Sequence, residues 1–341
     1  MTVELVGIFE GLTVPAVDQE GAALFAVRPV PGFQCYFVGK DTGGRACLLV
    51  STSDASRRAP PPIRLESLDA QFELRCRITD ASGHASDGTF TVARCRSGER
   101  ETIRYFLAVC DIIMRHLGDS PSRSALASAV QRLASIFQSI RRPPVRSLNG
   151  LFGELFLISR SRNPLRAVTA WRIDDAARFD FSVGDIRLDV KTSTGRLRQH
   201  TFSYEQCNPP PGTDAVVASL MVERVPGGLA LADMIEGIEA RIAADEDLLL
   251  KLHEIVAATL GTSLAESLAV TFDARLAESS MLFFDLRAIP AVRVVLTPGV
   301  SDVRFSSDLS GQTPLGAETL IDRDPLYWEL LPTDPEPGNR P

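Results

Sequence analysis

A mixed α+β chain of two or three structural units is what this sequence predicts, on three observations. Short β-rich runs broken by turn residues fill the first hundred residues. Strongly periodic helical segments follow, and a sharply alternating polar/apolar stretch lies in mixed α/β sequence near the middle. At 341 residues the chain is longer than one domain, since domains usually run ~100–200 residues. Apolar residues at 45% and charged residues at 23% sit near the globular average and exclude wholesale disorder and fibrous architecture.

The first unit, residues 1–100, is read as a β-rich domain. Leu24–Arg28, Gln34–Val38, Ala46–Val50, Gln71–Ile78 and Thr89–Ala93 carry the apolar and β-branched residues of strands. Arg57–Ile63 holds three consecutive prolines and is read as a loop, because proline has no amide to donate to a sheet. Residues 101–145 are read as two bridging helices. Glu101–Leu117 places Ile103, Phe106, Leu107, Cys110, Ile113 and Met114 at helical spacing before Gly118, and Ser122–Ile140 repeats the pattern before Pro143–Pro144. Residues 146–225 form a separate α/β segment that opens with a helix over Ser147–Arg160. Residues 226–328 are read as α+β, helical over Ala230–Leu260 with a break at Asp245–Asp247. Strands are expected there at Leu268–Phe272, Met281–Leu286, Val292–Leu296 and Val303–Phe305. Proline-rich residues 329–341 are expected to be a frayed tail.

Composition narrows the function classes. The six cysteines are far apart with no CxxC pair, which argues against a zinc site or a disulfide scaffold and for reduced, mostly buried thiols. No run approaches the ~18 apolar residues of a membrane span. Met1–Val6 lacks the basic segment of an export signal. A cytoplasmic protein without membrane contact is expected. Net charge is −7, yet between Arg141 and Gln206 twelve basic residues face seven acidic ones. That middle segment has the sign a polyphosphate favours. Arginine supplies nearly all of it: the chain's lysines are Lys40, Lys191 and Lys251. A single lysine among arginines stands out because its charge can be tuned.

Lys191 ends the alternating stretch Arg178–Lys191. Gly184–Asp185 suits a two-residue type II′ turn, and pairing outward from it sets Phe181 against Leu188, Asp180 against Asp189 and Arg178 against Lys191. One face is then Phe179, Phe181, Val183, Ile186, Leu188 and Val190. The other is Arg178, Asp180, Ser182, Arg187, Asp189 and Lys191. Two opposed carboxylates ~4.5–5.5 Å apart repel by a few kcal/mol at an effective dielectric of ~20. Either Arg178, Arg187 and Lys191 offset this on a solvated face, or the two acids share a hard divalent cation. Mg²⁺ takes one or two protein carboxylates and leaves room for phosphate oxygens. Lys191 would then stand beside the water such an ion activates.

Asp180, Asp189-Val190-Lys191 and the upstream helix bearing Glu154 together resemble the PD-(D/E)xK nuclease superfamily, although Phe179 replaces the proline of that name. The chain is similar to a family of bacterial proteins assigned there, in Gly150-Leu-Phe-Gly-Glu154, Asp189-Val-Lys-Thr-Ser193 and Gly299–Phe305. The resemblance implies a restriction-endonuclease-like αβββαβ core: the helix Ser147–Arg160, a first strand Val168–Ile173, the hairpin Phe179–Thr192, a short helix Ser203–Cys207 and a strand Ala215–Val222. It implies that Asp180, Asp189 and Glu154, with the Val190 carbonyl, bind Mg²⁺ or Mn²⁺ and that Lys191 is the catalytic lysine. It implies a DNA endonuclease of a restriction or anti-phage system, with ATPase or methyltransferase partners and a second copy as further partners. A non-catalytic DNA-binding or scaffolding subunit is the alternative.

The neighbours admit plainer roles. Glu154 could be solvated or paired with an arginine. Arg196, Arg198 and His200 could contact DNA phosphates or belong to a solvated loop. Gln206 could contact DNA or lie on the surface. His200 and Cys207 lack a third orienting group for nucleophilic catalysis. Trp171 is read as a packing residue. No GxxxxGK[ST] loop is present, so ATP dependence would need a partner.

Overall fold

The β-rich start closes into a ring. In the computed structural model, which describes residues 2–15, 23–51, 59–80, 82–173, 178–294 and 297–332, helix α1 (Thr2–Glu10) precedes six strands. These are β1 (Ala23–Pro29), β2 (Tyr36–Asp41), β3 (Ala46–Ser51), β4 (Ile63–Arg64), β5 (Leu68–Thr79) and β6 (Ala85–Cys95). β1 pairs antiparallel with β2 and parallel with β5, and β3 and β6 complete the circuit. Pairing β1 on both sides removes an edge that would otherwise attract other strands. β5 can serve several neighbours because it has 12 residues and a bulge between Gln71 and Leu74. Phe25, Val27, Cys47, Leu49, Cys76, Phe90 and Val92 form one core cluster of this unit. Of the proline loop, residues 57–58 lie outside the described residues, and Ile63 opens β4.

The helices read as a bridge are α2 (Arg100–Leu117) and α3 (Arg123–Ser139). They pack on the ring instead, α2 against β3 and α3 against β5. One compact unit comprises Met1–Val145 with Leu249–Ala265, and a second comprises Arg146–Leu248 with Glu266–Pro341. Five of the six free cysteines are buried; all but Cys207 belong to the first unit.

The second unit begins with α4 (Leu148–Arg160), α5 (Pro164–Ala170), β7 (Phe181–Val183), β8 (Ile186–Ser193), β9 (Gln199–Ser203), α6 (Tyr204–Cys207), β10 (Asp214–Met221), β11 (Arg224–Ala230) and α7 (Leu231–Arg241). Next in the chain, α8 (Glu246–Leu260) belongs mostly to the first unit and α9 (Leu264–Leu268) straddles the division; the second unit resumes with β12 (Thr271–Phe272), α10 (Ala274–Ser280), β13 (Leu282–Asp285), β14 (Arg304–Asp308), α11 (Ala317–Arg323) and α12 (Leu326–Leu330). The central sheet runs β13-β10-β8-β7, with β8 and β10 parallel and both outer pairs antiparallel. β10 is buried along its whole middle, as a strand covered on both faces must be. α4 packs on β8 so closely that a Cβ on Gly153 would fall 2.5 Å from Thr192 Cγ2 and 3.1 Å from Val190 Cγ1.

Several sequence expectations are corrected. The proposed strand Val168–Ile173 is mostly helix α5: Asn163 caps it by accepting the Arg166 N–H, and Pro164 opens its first turn. Only Trp171 keeps a strand-like bridge, to Phe181. Hairpin pairing ends at Phe181, and Phe179 leaves the expected face to pack with Phe202, Cys207, Ala215 and Val217. The tail is partly anchored, since Arg162 N–H donates to the Leu331 carbonyl at 3.1 Å, while residues 333–341 lie outside the described residues. The expected strand Val292–Leu296 does not form over Val292–Val294, and residues 295–296 lie outside the described residues. Glu246–Leu268 is long and apolar enough, by length and composition, to cross a membrane, but 56% of its most apolar 18-residue window is buried inside the protein. Leu249, Leu252, Val256 and Leu260 supply that burial, the signature of a core helix.

Candidate active site

The hairpin forms as its turn chemistry demands. Gly184 takes φ +51° while Asp185 stays at negative φ, the combination of a type II′ turn. Phe181 faces Leu188 and Val183 faces Ile186. Beyond Phe181 the chain departs, and Asp180 substitutes its side chain for the missing strand: Val190 N–H donates to Asp180 Oδ2 at 2.9 Å. The Asp180 carbonyl accepts the Arg172 N–H at 2.8 Å. Arg172 holds this contact at φ +41°, in the left-handed region, a conformation that side-chain-bearing residues adopt only when their surroundings impose it.

Glu154 imposes it. The carboxylate accepts Arg172 Nε at 2.9 Å and Nη2 at 2.8 Å, and Trp171 Nε1 at 2.6 Å. Both oxygens are thus committed, and the residue is 3% exposed. Glu154 is thus arginine-paired, one of the two roles the sequence left open for it, and it fixes the start of the Asp180 segment. Among the described residues, no three His, Cys, Asp or Glu side chains are grouped as a metal site. Trp171 is more than a packing residue, and Arg172 entered no sequence expectation because its role depends on a backbone conformation that composition does not announce.

Asp189, mid-strand on β8, is 2% exposed. Its Oδ1 accepts Gln206 Nε2 at 2.9 Å, and the same amide donates to the Arg178 carbonyl at 2.8 Å. Lys191 Nζ lies 2.9 Å from Asp189 Oδ2, the ion pair that serves this buried oxygen. Arg146 Nη1 donates to Asp180 Oδ1 at 2.8 Å and lies 3.8 Å from Glu154 Oε1. Glu154, Asp180 and Asp189 are thus matched by Arg172, Arg146 and Lys191. Of the cations expected to offset the acids, only Lys191 does so; Arg187 donates to the Gly184 and Ile186 carbonyls and Arg178 is exposed.

Burial dominates the electrostatics. It pushes Asp189 up to about 7, against the opposing pull of Lys191, with Asp180 adding to the rise. It pushes Glu154 up to about 7 as well, with Asp180 again adding and Arg172 opposing. Burial would lower Lys191, but Asp189 and Asp180 outweigh it and hold the ammonium above its ordinary range. Two carboxylate oxygens therefore fit a hard cation: Asp189 Oδ2, which faces Lys191, and Asp180 Oδ1, held by a cation whose side chain is 42% exposed. One or two carboxylates suffice for Mg²⁺.

Three residues expected to touch DNA do other work. Arg198, 8% exposed, donates Nη1 to the Ser219 carbonyl at 2.8 Å and Oγ at 2.9 Å, and Nη2 to the Ser280 carbonyl. His200 is buried with Nε2 2.7 Å from Ser219 Oγ, and burial with nearby Lys191 and Arg198 lowers it to about 4, keeping it neutral. Gln206 orients Asp189. Arg196 alone of the four is exposed. It lines a cleft of about 640 Å³ beside Ser193, Thr194 and Arg224, with one acid, Glu223. Ser193 and Met221, which also line it, end the parallel strands β8 and β10, the end at which open α/β sheets take ligands.

No curated protein and no solved structure matches the chain. A family model described as "Putative PD-(D/E)XK family member, (DUF4420)" matches residues 8–310, a span containing the helix α4, the hairpin and every residue of the cluster; the chain belongs to that family.

Proposed function

We propose that the second unit is a divalent-metal-dependent DNA endonuclease of a restriction or anti-phage system. The observation that carries this is the buried pair Asp180 and Asp189, with Lys191 2.9 Å from Asp189 and Gln206 fixing the opposite oxygen. Family membership supports it, as does the order helix, hairpin, short helix and parallel strand, which agrees with the latter part of a restriction-endonuclease-like core.

Asp180 Oδ1 and Asp189 Oδ2 would hold Mg²⁺ or Mn²⁺, with the Val190 carbonyl assisting. Such an ion supplies a Lewis acid that acidifies an attacking water and draws charge from a phosphodiester. Lys191, kept protonated by Asp189, donates to the developing negative charge on phosphate oxygen. Glu154 and Arg172 hold the Asp180 segment in register, and Gln206 leaves Asp189 one oxygen for the ion. Arg196 and Arg224 in the cleft offer guanidinium groups to backbone phosphates.

Supercoiled-plasmid cleavage in Mg²⁺ or Mn²⁺ tests this. The wild type should nick or linearise the plasmid, and Asp189→Ala and Lys191→Ala, shown folded by circular dichroism, should not. Cleavage persisting in both variants would overturn the proposal. One observation favours a second reading, a non-catalytic DNA-binding or scaffolding subunit. Three acids and three cations already neutralise one another without a metal. That case predicts salt-sensitive DNA binding with no turnover in any metal.

A further inference from the structure

We infer that Arg146 is a built-in counter-ion occupying the cation position of Asp180, and that a divalent ion enters only by exchanging with it. This rests on the metal-dependent reading above.

The contacts of the cluster are asymmetric in a way that singles out Arg146. Asp180 and Glu154 are 5% and 3% exposed, so neither acid can turn to solvent for compensation. Arg172 is held on both sides of its guanidinium by Glu154, and its side chain is 13% exposed. Lys191 is 22% exposed and stays on β8 beside Asp189. The Arg146 side chain is 42% exposed and spans the two acids, 2.8 Å from Asp180 and 3.8 Å from Glu154. It is therefore the cation that can return to water at the least cost. Its departure leaves the buried Asp180 uncompensated unless another cation takes its place.

The local backbone permits the exchange. Arg146 precedes the Ser147 cap of α4 and lies in neither helix nor strand. Its side chain can swing without breaking an element's hydrogen bonds. Asp180 Oδ2 is already taken by the Val190 N–H, so Oδ1 is the atom that guanidinium and metal must share. Arg146 Nη1 lies 2.8 Å from that atom, so a divalent ion placed on it would meet the guanidinium charge at close range, and that repulsion favours replacement of one positive group by another. A site that must first release an internal ligand binds its external one more weakly by the fraction of time it is open. Once displaced, the guanidinium remains at the rim of the cluster as a planar donor.

The test is Mn²⁺ binding to the full chain by isothermal titration calorimetry, without DNA. Arg146→Gln removes the competing charge and should bind Mn²⁺ ~10–100-fold more tightly than the wild type, within the usual range of coupling between two ligands. Arg146→Lys, a shorter point charge, should fall between them. Without metal, Arg146→Gln should melt below the wild type and recover more on adding Mn²⁺. If Arg146→Gln does not fold, the comparison of Arg146→Lys with the wild type decides, and affinity no tighter than wild type overturns the inference. Mn²⁺ binding by the wild type that is as tight as, or tighter than, that of Arg146→Gln overturns the inference and leaves the metal-dependent reading standing. Absence of Mn²⁺ binding from every protein overturns both.

Discussion

Substituting Glu154 by glutamine separates a positioning role from a ligand role. The carboxylate accepts three hydrogen bonds at 2.6–2.9 Å from Trp171 and Arg172. The amide keeps one oxygen, which can still serve the two donors that share Oε2, and turns an NH₂ toward Arg172 Nη2, so one hydrogen bond to the guanidinium is lost. A lost hydrogen bond to a charged group costs about 1.5–3 kcal/mol, and stranding a buried cation about 3–5 kcal/mol. Against this, burial already holds Glu154 up to about 7, so its ionised form is costly and the neutral amide recovers part of the loss. A net destabilisation of about 3 kcal/mol follows. Urea unfolding followed by tryptophan fluorescence should read it, because Trp171 is fully buried. Mn²⁺ affinity of the folded variant should fall by ~10–100-fold, the usual range for loss of an outer-shell partner, and not be abolished. Unchanged stability with abolished Mn²⁺ binding would refute the positioning role and make Glu154 a ligand.

Two further outcomes follow from the same packing. Asp189 is held up to about 7, against ~3.9 for an unfolded aspartate, so between those values the folded chain keeps a proton the unfolded chain has released. The associated stability is complete below ~4 and lost as pH rises through ~7. Glu154 acts with the same sign, whereas His200, lowered to about 4, acts with the opposite sign between ~4 and ~6.5. Metal-free melts from pH 5 to 7.5 should therefore decline less steeply in Asp189→Asn than in wild type, and equal slopes would contradict the burial argument. Gly153→Ala gains about 1 kcal/mol of helix propensity, but its Cβ would meet Thr192 at 2.5 Å and Val190 at 3.1 Å. Overpacking of this kind costs about 1–3 kcal/mol, so thermal melts should show a net loss, and a stabilised variant would show that α4 can move off β8.

What was legible in the sequence was local. Alternation around Gly184–Asp185 gave the hairpin and its turn; α6 was expected only through the family resemblance, although Ser203, which accepts the Gln206 N–H, and Ser147, which accepts the Gly150 N–H at the start of α4, are local cap signals. What escaped was set by pairing between distant residues. The parallel β1–β5 contact that closes the ring joins segments about fifty residues apart, and no periodicity within either strand reports it. Arg198 and His200 looked like a mobile basic loop because their partners, Ser219 and Ser280, lie elsewhere in the chain. Phe179 kept the alternation of the hairpin after its pairing had ended at Phe181, so pattern outlasted structure by two residues. The Asn163-Pro164 start of α5 was a readable signal that the expected strand overrode. Asp180, Asp189 and Lys191 were visible as a pattern; Arg146 and Arg172, which meet them only through the fold, were not.

Whether Asp180 and Asp189 together hold a divalent cation is decided by anomalous scattering from crystals soaked in Mn²⁺. One peak is expected within coordination distance of Asp180 Oδ1 and Asp189 Oδ2, with the Arg146 guanidinium withdrawn and Glu154 still bound to Arg172. Crystals that show no peak at saturating Mn²⁺, with Arg146 still on Asp180 and Lys191 still on Asp189, would contradict that shared site.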